Sequence, residues 1–101
     1  MMNEINNIVA AERAKLNILL ALKEEASYSS NEQLLQAWLD ATGGVPVARA
    51  FVRQCMLELE ELKAVKIKVA GELMIATITE SGLEHVEGRA IIKGVLRPEV
   101  R

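Results

Sequence analysis

The sequence predicts a small, mainly helical α+β domain: three helices, a β-hairpin and a short helix after it. Three observations carry that prediction. Apolar residues recur at helical spacing through residues 4–63, the period drops to two across residues 65–78, and Gly-containing turns separate the blocks. The chain has 101 residues, half of them apolar, enough for one self-sufficient core. Tyr28, Trp38 and Phe51 are its three aromatics, so the core is aliphatic.

The first helix is expected from about Glu4 to Ala26, a stretch rich in Ala, Leu, Glu and Lys with no Gly or Pro. Its apolar residues do not form one stripe. Leu16, Leu19 and Leu20 point one way, and Ile18 and Leu22 point nearly opposite. Ser27-Tyr28-Ser29-Ser30 interrupts the pattern, and Ser29 with Glu32, or Ser30 with Gln33, offers a capping box for a second helix. That helix puts Leu34, Leu35, Trp38 and Leu39 on one face and stops at Thr42-Gly43-Gly44. Pro46 opens a third helix, from about Val47 to Lys63, whose inward stripe is Val52, Cys55, Met56, Leu59 and Leu62. Val65, Ile67 and Val69 then alternate with Lys66 and Lys68, and Leu73, Ile75 and Ile78 follow Ala70-Gly71-Glu72, as in a hairpin. Thr79 is placed to cap a last helix, roughly Glu80 to Glu87, ended by Gly88.

Charge is unevenly spread. The net charge is −2, yet residues 89–101 carry Arg89, Lys93, Arg97 and Arg101 against Glu99. This divides the chain into a domain at 1–88 and a basic tail at 89–101. The longest apolar run, Leu16 to Leu22, is broken by Asn17 and too short for a membrane span. Nothing at the N-terminus has the form of a signal peptide, so a cytoplasmic protein without a membrane partner is expected. Cys55 is the single cysteine and His85 the single histidine, so neither an internal disulfide nor a multi-cysteine metal site can form. No metal or cofactor is implied, and no nucleophile–base–orienter spacing suggests an enzyme. Gly43-Gly44 lacks the Gly-Lys-Ser/Thr ending of a phosphate loop.

The order helix, helix, Gly-containing turn, helix, hairpin, helix is that of a winged helix-turn-helix domain, whose third helix reads DNA. The hairpin followed by Ala76-Thr77-Ile78-Thr79-Glu80-Ser81-Gly82-Leu83 resembles the wing exit of MarR-like and ArsR-like regulators, with its Thr-x-x-Gly turn. The segments Glu87-Gly88-Arg89-Ala90 and Gly94-Val95-Leu96-Arg97-Pro98 are similar to a short element that ends small winged-helix proteins of Mu-like phages and prophages. The resemblance implies a DNA-binding, transcription-regulator-like protein of phage or prophage origin. Arg49 and Arg53 would then lie on the recognition helix and Lys66 and Lys68 on the wing, with double-stranded DNA as partner.

The sequence also departs from that pattern. Val47 and Ala48 stand where such helices usually carry Ser or Thr, the turn around Gly71 has no Arg or Lys, and the body is acidic. These departures favour the alternative, a winged helix serving as a protein-interaction or assembly module.

The remaining motifs have plainer readings. Arg49 and Arg53 also read as a solvated pair, or as one paired with a Glu of a neighbouring element. Glu58, Glu60 and Glu61 read as a solvated acidic face, Cys55 as a small buried hydrophobe, and His85 as a residue with no special task. Met56 and Met74 read as core filler, and Met1 and Met2 as terminus. The tail could fold back on the body, lie across a partner, or bind phosphate. A homodimer through Leu16, Ile18, Leu19 and Leu22 is expected, because a three-helix body leaves little to cover the second face of the first helix.

Overall fold

The computed structural model describes the backbone of residues 2–43 and 45–98, with side chains from residue 8 onward. Gly44 of the expected turn, the side chains of Met1 and Met2, and the last three residues lie outside it.

Seven elements follow one another: α1 (Met2–Glu24), β1 (Ser29–Asn31), α2 (Glu32–Gly43), α3 (Arg49–Glu61), β2 (Val65–Ala70), β3 (Leu73–Ile78) and α4 (Glu80–Val86). The strands form an antiparallel sheet in the order β1-β3-β2. The architecture is α+β and winged-helix-like, with the expected three helices, hairpin wing and short last helix.

One strand was not legible in the pattern. Ser29–Asn31 pairs with β3 in the register Ser29↔Thr77, Ser30↔Ala76, Asn31↔Ile75. The Ser29 and Thr77 hydroxyls meet across it at 2.6 Å. The cap of α2 is accordingly neither Ser29 nor Ser30: Asn31 Oδ1 accepts from the Leu34 amide at 2.9 Å.

The hairpin runs from Val65↔Ile78 to Ala70↔Leu73 around Gly71 and Glu72, with Gly71 at φ +63°. Its buried side on β3 is Met74, Ala76 and Ile78, while Leu73 and Ile75 are only half-buried. Val69 is exposed because β2 leaves the body as it nears the turn.

The wing exit is set by sterics. The Thr79 side chain caps α4, accepting from the Gly82 amide at 3.1 Å, and its hydroxyl donates to the Lys63 carbonyl at 2.7 Å. A Cβ on Gly82 would meet the Ala64 carbonyl oxygen at 2.4 Å and Ile78 Cγ1 at 2.7 Å. The Thr-x-x-Gly spacing therefore lets α4 pass directly over the end of α3.

α1 is central. Ile18, Leu19 and Leu22 are completely buried and Leu16 nearly so, all within one protomer. The exposed second face on which the homodimer expectation rested does not exist here, which corrects that premise. Other elements of the same chain cover it, among them α2, α3, α4, β3 and the tail.

The tail folds back. Val95 joins the core, and the Leu96 amide donates to the Glu12 carbonyl at 3.1 Å. Lys15, itself buried, pairs with Glu58 at 2.7 Å and donates to the Gly94 carbonyl at 3.4 Å. His85, read as having no task, is completely buried and holds the tail with both ring nitrogens. Its Nδ1 accepts from the Ile92 amide and its Nε2 lies 2.9 Å from the Leu96 carbonyl. A carbonyl only accepts, so the proton is on Nε2 and the ring is neutral.

Candidate functional site

Of the four cations that the sequence singles out, Arg49 and Arg53 converge on Glu32, while Lys66 and Lys68 do not. As the first residue of α2, Glu32 points inward behind the Asn31 cap and is wholly buried. One oxygen, Oε1, accepts from Arg53 Nε at 2.6 Å and lies 3.5 Å from Arg49 Nη1. The other accepts from the Met74 amide at 2.6 Å, one residue beyond the end of the β1 ladder. A carboxylate thus continues a strand that is only three residues long.

Glu32 belongs to a polar stripe along α2. Gln36, one turn on, accepts from Arg49 Nε at 2.6 Å and donates to the Val47 carbonyl at 2.8 Å. Asp40, a further turn on, accepts from the Val47 amide at 2.8 Å. Three side chains spaced by four residues therefore clamp the start of α3, whose own N-cap, Ala48, makes no side-chain cap bond. The spacing Glu32-Gln36-Asp40 facing Arg49-Arg53 was the available sequence signal. A polar series at i, i+4 and i+8 does not by itself say which neighbouring helix it faces.

The electrostatics follow from this geometry. The Arg53 hydrogen bond holds the Glu32 carboxyl below its usual range, outweighing the burial that would raise it. Arg53 is raised in turn, chiefly by its hydrogen bond to Glu32. Arg53 Nη2 also donates to the Glu72 carbonyl at 2.9 Å, so the wing turn closes onto α3. Both arginines keep part of their surface in water, with side chains 40% exposed at Arg49 and 46% at Arg53. Around them the exposed positions of α3 are Ala50, Gln54, Leu57, Glu60 and Glu61. Lys66 and Lys68 are exposed on β2 and hold no ion pair among the described residues.

The acidic end of α3 is not simply solvated. Glu58 is pulled below its usual range by the Lys15 ammonium and then by Gln54, whose amide donates to it at 2.8 Å. Glu60 accepts from the Ile67 amide at 2.9 Å and so fixes the entry to β2. Burial pushes the Cys55 thiol up to about 11, leaving an unreactive core residue.

Away from this cluster, the expected inward face of α2 divides. Leu35 and Leu39 are buried, but Leu34 and Trp38 stand out into solvent. They border a groove of about 360 Å³ between α2 and the last turn of α1. A second apolar hollow, about 350 Å³, lies between α1 and the α2–α3 connection, lined by residues such as Ala10, Leu39, Val47 and Phe51. No helix among the described residues is long and apolar enough to cross a membrane.

No protein-family model matches the chain, and no solved structure matches it. It is 36% identical over 97 residues to the uncharacterized protein gp26 of Escherichia phage Mu. The alignment takes in 96% of this chain and 98% of the phage protein. With identity at that level along nearly the whole of both chains, this protein belongs to the family of phage Mu gp26.

Proposed function

We propose that this chain is a non-enzymatic winged-helix interaction module of a phage-derived system, one that recognises protein rather than DNA. The observation that carries the reading is the pairing of Arg49 and Arg53 with buried Glu32. Phosphate binding draws on cations that can exchange counterions for phosphate, and these two already hold a carboxylate. Glu72 adds negative charge beside Arg53 at the wing turn. The experiment is a pull-down from host lysate with nuclease treatment, run beside a mobility assay on mixed-sequence duplexes at about 50 mM salt. Capture that resists nuclease, with no mobility shift, supports the reading; capture that vanishes with nuclease overturns it.

One observation favours a second reading, a DNA-binding, transcription-regulator-like protein. Both arginines remain partly exposed, and Lys66 and Lys68 are exposed on the wing with no ion pair among the described residues. That reading requires a shift that weakens steeply with salt and is lost in Arg49→Ala/Arg53→Ala and in Lys66→Ala/Lys68→Ala.

A further inference from the structure

Resting on the protein-interaction reading, we propose that the groove between α2 and the end of α1 receives an amphipathic helix of a partner protein carrying Lys or Arg beside its apolar stripe. The floor is apolar: Leu34, Ala37, Trp38 and Ala41 recur at i, i+3, i+4 and i+7 along α2, and Ala21 of α1 closes the far side. Leu34 is 58% and Trp38 39% exposed, although apolar side chains of that size usually find cover at such spacing. The rise from Leu34 to Ala41 is about 10 Å, which suits two to three turns of a docked helix.

Charge selects the occupant. Glu24 and Glu25 stand at the end of the groove, and neither has an ion-pair partner among the described residues. They sit at the C-terminal end of α1, where the helix dipole adds negative potential. Lys23, on the same turn, does not line the groove. An acidic rim beside an apolar floor repels nucleic acid and attracts a cationic helix. A second copy of this chain is a poor occupant by two-fold pairing of α2, because that helix carries no Lys or Arg. Trp38 supplies an aromatic face for the incoming cation and the kind of anchor that dominates interfaces.

Trp38 is also the only tryptophan, so its emission reports the groove directly. The probe is a synthetic amphipathic helix of Leu, Ala and Lys, about 15 residues long, with a counterpart in which Glu replaces each Lys. The Lys peptide should shift Trp38 emission to the blue with saturation, and the Glu peptide should bind at least about tenfold more weakly. Glu24→Lys/Glu25→Lys should reverse that order, and Leu34→Ser, at an exposed position, should abolish the response with an unchanged circular dichroism spectrum. No response to the Lys peptide, equal responses to both peptides, or an unreversed order in the charge variant would each overturn the proposal. The pull-down separates this failure from that of the broader reading. If Leu34→Ser still captures partner with nuclease present, the interaction module stands and the groove falls.

Discussion

The Nε of Arg53 donates to Glu32 Oε1 at 2.6 Å, joining the middle of α3 to the first turn of α2 through a carboxylate with no exposed surface. The same carboxylate takes the Met74 amide, so a single side chain ties two helices to the sheet.

Glu32→Gln should therefore cost about 2 kcal/mol, since it removes the negative partner of two arginines and weakens the bond to β3. Glu32 and Glu58 both sit below the usual carboxyl value of 4.5 in the folded state. Protonation then favours the unfolded chain. Their contribution is complete above that value and is lost as pH falls through the folded-state range. Urea unfolding of the wild type at about pH 7 and about pH 3 should show the decline, and Glu32→Gln should flatten it. An unaltered pH slope in the variant would show that Glu32 is not a source of it.

Gly82→Ala should destabilise by roughly 1–3 kcal/mol, because its methyl group has nowhere to go but into the Ala64 carbonyl. Thr79→Ala should cost about 1 kcal/mol through loss of the α4 cap. Thermal unfolding of the two variants reads both, and Gly82→Ala should lie lower.

Lys63→Gly should raise stability by about 1 kcal/mol. Lys63 closes α3 in the left-handed region, at φ +65°, with its amide bonded to Glu60 and the Ala64 amide to Leu59. Glycine meets that conformation without a Cβ penalty, so the melting temperature should rise. A fall would mean that the lysine side chain makes a compensating contact.

His85→Ala should free the tail while leaving the rest of the fold in place. Hydrogen exchange at the Ile92 and Leu96 amides should accelerate strongly, with far smaller changes in α3. Uniform acceleration would show instead that the tail and body unfold as one unit.

The order of elements was legible in the sequence because it rests on local periodicity and on turn residues such as Thr79 and Gly82. β1 was not, since three polar residues show no alternation and become a strand only by pairing with β3. The side of α2 that faces inward was half legible. Leu34, Leu35, Trp38 and Leu39 all fit one broad stripe, and tertiary packing alone decides that Leu35 and Leu39 go inside. Arg49 and Arg53 are visible in the sequence as the cations of α3. Their partner was hidden because Glu32 lies far from them in sequence and is brought close only by the crossing of α2 and α3. The two-sided apolarity of α1 reflects a helix surrounded by its own chain.

That surrounded helix also orders events during synthesis. α1 precedes every other element of the fold, yet its packing partners include α4 and the tail, the last parts described. A nascent chain must carry Ile18, Leu19 and Leu22 only partly covered until α3 and α4 have left the ribosome. A product cut short before α4 would release an adhesive apolar helix rather than a smaller folded domain.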